Sequence, residues 1–143
     1  MRERDTLIRD DYPKPVPTWD QYEFWAACQR HELRLQRCSE CGGYRHQPRP
    51  YCPDCRSRAF EWTAVSGRGR VYTYTISYAP VLPAFEARVP FNAVVVQLDE
   101  GPFMVTNLVD WPIGRDIPIG MPVEAVFVDI DDELTLPQFR PVA

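Results

Sequence analysis

The sequence predicts a mainly β protein: an N-terminal helix, a four-cysteine metal ribbon and a C-terminal five-stranded barrel. Three observations predict it. Two Cys-x-x-Cys pairs stand close together, Cys38-Ser39-Glu40-Cys41 and Cys52-Pro53-Asp54-Cys55. Fifteen prolines against seven glycines imply edges, turns and extended connections, which a helical bundle does not tolerate. The second half of the chain carries short runs in which apolar and polar residues alternate, the period of a strand. With 143 residues, 45% of them apolar, the chain can bury one domain-sized core, or a metal module plus one compact domain. No apolar run approaches a membrane span and nothing resembles a signal peptide, so a soluble, cytoplasmic protein is expected.

Residues 1–17 mix charges with Pro13, Pro15 and Pro17 and have no apolar period; they read as an extended arm. A docking helix is expected over 18–31. Thr18 is its N-cap, Gln21 completes a capping box, and Trp19, Tyr22, Trp25 and Ala26 line one side, with Phe24 and Cys28 off that stripe. So many aromatics exceed what one short helix buries in its own module. Trp19, Tyr22, Phe24 and Trp25 are therefore candidate partner contacts, against the simpler alternative of internal packing.

Residues 32–66 form the expected metal ribbon. Leu33 and Leu35 alternate with Arg34 and Gln36 on a strand entering the first knuckle, and Phe60 and Trp62 lie on a strand leaving the second. Two Cys-x-x-Cys knuckles on facing turns place four sulfurs at the corners of a tetrahedron, as zinc requires at about 2.3 Å from each thiolate. Cys38, Cys41, Cys52 and Cys55 are the expected ligands, with Gly42-Gly43 supplying the turn. Iron of rubredoxin type uses the same donors and stays open. A disulfide pair is the weaker reading, given five cysteines and no secretory signal. With all four positions taken by cysteine, no site is left for water, so the metal is expected to be structural. His46 reads as a surface or supporting group, and Cys28 as a small core residue.

Ser66-Gly67-Arg68-Gly69 reads as a flexible break before the barrel of 67–143. Its strands are expected at 70–78, 91–98, 103–108, 122–130 and 134–139, joined by Asp99-Glu100-Gly101 and by the acidic hairpin Asp131-Asp132-Glu133. On the first, Tyr72, Tyr74, Ile76 and Tyr78 are expected on one face and Val71, Thr73, Thr75 and Ser77 on the other. Five short strands led by a long tyrosine-rich one fit an OB-type barrel. The connections 79–90 and 109–121 are too apolar for free loops: they cover the barrel mouth, or meet a ligand or another subunit.

The net charge of −4 hides an asymmetry. Residues 30–70 hold nine arginines against four acids, whereas 71–143 hold three basic groups against ten acids. Arginines suit phosphate or carboxylate; equally, some answer the roughly −2 charge of zinc held by four thiolates. Catalytic motifs are missing. His31 and His46 are the only histidines, neither stands by a nucleophile elbow, and there is no phosphate-cradling glycine loop. The chain is expected not to complete an active site alone.

The order of motifs is specific. A capped aromatic helix is followed by Leu-Arg-Leu-Gln-Arg-Cys-Ser-Glu-Cys-Gly-Gly-Tyr and Pro-Arg-Pro-Tyr-Cys-Pro-Asp-Cys. Then come Gly-Arg-Gly-Arg-Val-Tyr-Thr-Tyr-Thr and the late Ile-Gly-Met-Pro-Val-Glu-Ala-Val-Phe. From about residue 17 to 139 this resembles the DUF35 family, a rubredoxin-like zinc ribbon joined to an acyl-CoA-associated OB domain. The resemblance implies a small non-catalytic subunit, in a hetero-oligomer with a thiolase-fold enzyme: a thiolase, a retro-aldolase cleaving steroid side chains, or an acyltransferase. There the partner supplies the catalytic Cys or His, and this chain helps hold the CoA thioester. The four metal cysteines carry over to Cys38, Cys41, Cys52 and Cys55.

A CoA site can be argued only from chemistry: arginines for the phosphoadenosine end, a narrow apolar groove for the pantetheine arm. Arg68, Arg70 and Arg88 flank the first barrel strand and the loop carrying Phe85, so these four are the candidate CoA contacts. A different class of function, single-strand nucleic-acid binding, would use Tyr72, Tyr74 and Tyr78 beside the arginines. The acidic barrel half weighs against it. A stand-alone acyl-CoA- or lipid-binding protein is the third reading.

Overall fold

The computed structural model describes residues 13–142, so most of the expected arm, 1–12, lies outside the described residues. Helix α1 (Tyr22–Gln29) precedes β1 (Arg34–Cys38), β2 (Tyr44–Arg45) and β3 (Phe60–Ala64), which form a three-stranded antiparallel ribbon in the order β2-β1-β3. The second sheet holds β4 (Arg68–Ser77), β5 (Phe91–Leu98), β6 (Phe103–Thr106), β7 (Pro122–Asp129) and β8 (Thr135–Pro141) in the order β6-β5-β4-β7-β8. The chain just past β6 meets β8 in parallel at Leu108 and Phe139, with hydrogen bonds from Phe139 N–H to Asn107 O (3.1 Å) and Val109 N–H to Phe139 O (2.7 Å). Order and closure together are those of an OB barrel. Among the described residues no helix is long and apolar enough to cross a membrane.

One core runs through both sheets. Phe24, Cys28, Leu33 and Leu35 from the helix and ribbon join Val71, Val94, Val96, Met104, Val123 and Phe139 from the barrel. That orientation corrects the expected helix stripe. Gln21 Oε1 does accept from the Thr18 N–H (3.2 Å), but the Thr18 hydroxyl bonds Asp20 instead of the helix, which begins only at Tyr22. The inward face is Phe24, Ala27 and Cys28, while Trp19 and Tyr22 stay 72% and 62% exposed.

The tyrosine strand also departs from simple alternation. A bulge at Tyr72 shifts the register between Val71 and Thr73, so Val71 is buried, Tyr72 and Thr73 are exposed, and Tyr74 and Ile76 turn toward the core side. An extra residue flips the phase of everything after it. Tyr72 and Tyr74 therefore part company, Tyr72 packing edge-on against Phe103 at 4.8 Å, and the three tyrosines do not make one stacking platform.

The expected flexible break is pinned. Ser66 N–H donates to Glu100 Oε2 (2.9 Å), Ala125 N–H donates to Gly67 O (2.7 Å), and Arg68 and Gly69 already belong to β4. At Gly69 a Cβ would lie 2.4 Å from Gln97 O, a backbone atom that cannot swing away. Gly69→Ala will cost about 2–3 kcal/mol, read as a lower denaturant midpoint at unchanged slope.

The acidic hairpin is a clamp. Lys14 reaches Asp131 (2.6 Å) and Glu133 (3.4 Å), Gln29 donates to the Glu133 carbonyl, and His31 meets Asp129 at 3.0 Å while stacking on Phe127. Each exposed pair is weak because solvent screens it, but together they orient Lys14 and the helix on the β7–β8 end. The connection 109–121 folds back on the barrel: Ile117 is buried and Trp111 and Met121 pack on the core. The 79–90 connection forms a short 3₁₀ turn, Pro83–Arg88, over the same end.

Candidate metal centre and ligand cleft

The two knuckles are copies of one turn. In the first, Gly42 N–H bonds Cys38 O (2.9 Å) and Cys38 N–H bonds Gly43 O (2.8 Å); in the second, Arg56 N–H bonds Cys52 O (2.9 Å) and Cys52 N–H bonds Ser57 O (2.9 Å). The fifth residue of each turn must adopt positive φ, 76° at Gly42 and 64° at Arg56. Arg56 bears there a strain that glycine lacks. Arg56→Gly will raise stability by about 0.5–1 kcal/mol, measured by denaturant unfolding with metal bound.

The four sulfurs lie within 4.8 Å of one another, with Cys38–Cys55 at 3.5 Å and Cys41–Cys52 at 3.6 Å. Those separations far exceed an S–S bond of about 2.05 Å. They approach the edge of about 3.8 Å that a tetrahedron with metal–sulfur bonds of about 2.3 Å requires. Peptide N–H groups point at the sulfurs: those of Cys41 and Glu40 hold the Cys38 thiol down, to about 6, and those of Cys55 and Asp54 hold Cys52 down. Cys55 accepts from Ser57 N–H, but its neighbour sulfurs, Cys38 first, push it up to about 12; Cys41 accepts from Gly43 N–H and is likewise raised by Cys52 and Cys38. Four thiols so close cannot all ionise against one another. A divalent cation removes that repulsion, so the donor set fits zinc and leaves no vacant position.

Behind the knot lies a buried cation. Arg45, 4% exposed, donates to Gln36 Oε1 (2.8 Å) and Arg49 O (3.0 Å) and stacks over Phe60 at 4.9 Å. Gln36 and Cys38 share one face of β1, so this guanidinium is buried against the same face of the ribbon strand that leads into the first knuckle.

His46 lies between helix and ribbon, its ring 5.0 Å from Phe24 and its buried Nδ1 without a partner. Burial lowers its pKa to about 4. The folded state thus binds fewer protons than the unfolded chain between about pH 4 and 6.5, and stability falls as pH drops through that window, by up to about 3 kcal/mol. His46→Phe will flatten this acid-side slope when both proteins unfold in excess zinc. Cys28 is no nucleophile: burial pushes its thiol up to about 12.

A cleft of about 790 Å³ opens where the connections 79–90 and 109–121 meet β7. Phe85, Phe91, Trp111 and Phe127 wall it, and Arg88, Asp110 and Asp129 are its charged members. Its floor is an amide network. Asn92 exchanges hydrogen bonds with both backbone groups of Leu108 (2.7 and 2.9 Å), Asn107 Nδ2 donates to Asn92 O (2.6 Å), and Gln138 Nε2 donates to Asn107 Oδ1 (3.2 Å). Among the described residues, no cysteine, histidine or serine lines it.

Of the four candidate CoA contacts, the fold brings Phe85 and Arg88 together here. Arg68 and Arg70 are separated from them by the length of β4, about 23–30 Å along the strand. Arg70 bonds Gly120 O (2.9 Å), and Arg68 lines a second, smaller cavity with His31, Ser66 and Glu124. Of the candidate partner contacts, Phe24 is turned inward (5% exposed), Trp25 packs on the core, and Trp19 and Tyr22 face outward.

Two family models match the chain: the rubredoxin-like zinc ribbon domain of ChsH2 over residues 25–61 and its C-terminal OB-fold domain over 62–128. A DUF35 domain-containing scaffold protein of Methanocaldococcus jannaschii is 38% identical, over 73% of this chain and 74% of its own length. The chain belongs to the DUF35 family. The Ltp2-ChsH2(DUF35) aldolase superposes on this DUF35 chain with a TM-score of 0.81 at 40% identity, covering 90% of it and 98% of the solved chain. A probable enoyl-CoA hydratase alpha subunit of Thermomonospora curvata is 43% identical over 90% of this DUF35 chain, which spans 40% of that subunit's length.

The amide floor escaped sequence reading. Its signal was there in retrospect: Asn92 stands in phase with Val94, Val96 and Leu98, the buried positions of β5, where a polar residue demands a partner.

Proposed function

We propose that this chain is a non-catalytic, zinc-stapled OB subunit of a hetero-oligomeric complex acting on acyl-CoA thioesters, by thiolytic or retro-aldol C–C cleavage or by acyl transfer. A thiolase-fold catalytic subunit makes and breaks the bonds; this chain supports assembly and helps seat the substrate. The observation that carries the proposal is the likeness to the Ltp2-ChsH2(DUF35) aldolase over nearly the whole of that solved chain. Two features support it: a ligand-sized cleft walled by aromatic side chains, and the outward Trp19 and Tyr22, which suit a partner's surface. Phe85 and Arg88 belong to the CoA-binding cleft; Arg68 lines the adjoining cavity, which shares Phe127 with it, and Arg70 bonds Gly120 O away from both.

Affinity capture of the tagged chain from a lysate of its native cells, with zinc present, tests this. A thiolase-fold protein will co-purify, and Trp19→Ala combined with Tyr22→Ala will reduce its recovery. Recovery of no such protein, together with tight, salt-dependent binding of single-stranded oligonucleotides, would replace this function with the nucleic-acid alternative.

A further inference from the structure

Exposed apolar side chains gather around the mouth of the cleft. Tyr78 is 63% exposed and follows Ser77, the pairing partner of the cleft residue Phe91. Leu82 is 64% exposed, and its carbonyl accepts from the N–H of Phe85 (2.8 Å), another cleft wall. Ile113 lines the cleft itself and is still 49% exposed. Single apolar residues on a surface are ordinary, but three from separate stretches around one opening form a contact face. The rim is also stiff. Pro80 and Pro83 flank Leu82, Pro112 precedes Ile113, and the two connections touch: a Cβ at Gly114 would lie 3.3 Å from Pro90 Cγ. A rim fixed by proline loses little conformational freedom when something seats on it.

Its occupant follows from the ligand. A thioester is one covalent piece, so whichever part of it the cleft seats, its reacting carbonyl must pass out through the mouth to reach the residues that make and break bonds. Those belong to the catalytic subunit, which must therefore lie across the mouth. The same surface runs on toward the outward Trp19 and Tyr22. Helix α1 spans about 11 Å from Tyr22 to Gln29, and two residues further His31 stacks on Phe127 of the cleft wall and bonds Asp129 (3.0 Å). An interface of standard size, about 800 Å² per partner and roughly 30 Å across, is wide enough to reach from that helix to the cleft.

We infer that the cleft mouth, with Tyr78, Leu82 and Ile113 as anchors, is the seat of the catalytic subunit, set against an apolar collar around that subunit's substrate entrance. This rests on the acyl-CoA reading above and adds where the two subunits meet: the reacting end of the thioester crosses the seam and sits wholly within the partner.

Leu82→Asp combined with Ile113→Asp, in the tagged zinc-loaded chain, tests the seat, with Ile119→Asp as the control. Ile119 is as exposed as Leu82, at 64%, but its neighbour Gly120 bonds Val71, about 20 Å along β4 from Ser77. Recovery of the thiolase-fold subunit will fall at least about tenfold for the double variant and stay within about twofold for the control, with zinc content and thermal midpoint unchanged in both. Hydroxyl-radical footprinting of the unsubstituted complex reads the same face and decides the matter should the double variant not fold: oxidation of Tyr78 and Leu82 will drop on complex formation, while that of Ile119 will not. A folded double variant that keeps its partner within about twofold, or a complex in which Tyr78 and Leu82 stay as reactive as in the chain alone, overturns the seat while the accessory function stands. Failure of the unsubstituted chain to recover any thiolase-fold subunit removes the function and the seat together.

Discussion

Cys52→Ser will strip the chain of its metal and unfold the ribbon. Cys52 is 2% exposed, and its sulfur stands 3.6 Å from that of Cys41, so the loss opens the tetrahedron from inside. A structural zinc contributes an apparent 10 kcal/mol or more, roughly, to the fold that holds it. Whole domains of this size are stable by only about 5–15 kcal/mol. The ribbon has little else: β2 is two residues long, and the interior of the ribbon sheet is Gln36, Arg45 and the knot itself. Damage will spread, because Phe24, Cys28, Leu33 and Leu35 are common to ribbon, helix and barrel core. The midpoint of thermal unfolding will fall by about 15 °C or more, with zinc content dropping from one per chain to none. An exhaustive chelator treatment of the wild-type chain will reproduce it. A metal-free variant with an unchanged midpoint would show the ribbon to be self-supporting.

Phe139→Ala will cost about 3–5 kcal/mol. The ring is fully buried, and it belongs to the residue at which β8 and the segment after β6 close the barrel. The closing hydrogen bonds use the backbone of Phe139, which alanine keeps, so the variant reports the cavity alone. Phe103→Ala is the matched control. Its ring lies on the outer face, 45% exposed, and the loss will stay below about 1 kcal/mol. Denaturant midpoints at constant slope distinguish the two; equal losses would place Phe139 outside the core.

What could be read from the chain was local. The knuckles follow from residue identity at fixed spacing, and β5 was legible to its ends because Phe91–Leu98 is a short valine-rich run bounded by Pro90 and by the Asp99-Glu100-Gly101 turn. Reading failed where one residue shifts a phase or a partner comes from far away. The bulge at Tyr72 moves the tyrosines onto different faces. The Thr18 hydroxyl, spent on Asp20, lets the helix start late and face inward through Phe24 rather than Trp19. The hairpin at Asp131 looked solvated because its partners, Lys14, Gln29 and His31, are about a hundred residues away. Arg88 is near Arg68 and Arg70 in sequence terms only, because the ten-residue strand β4 separates it from them in space. The cleft itself is assembled from four separate stretches of chain, 85–92, 107–114, 127–129 and Gln138, and no window of sequence contains it.

Turnover of an acyl-CoA thioester by the purified zinc-loaded chain, alone and then with its co-purified partner, tests the division of labour most directly. The expected result is no bond cleavage or acyl transfer above background for the chain alone, catalysis with the partner present, and a slower or unstable partner when the chain is withheld. Turnover by the isolated chain at an enzyme's pace, about 1 s⁻¹ or faster, would contradict it.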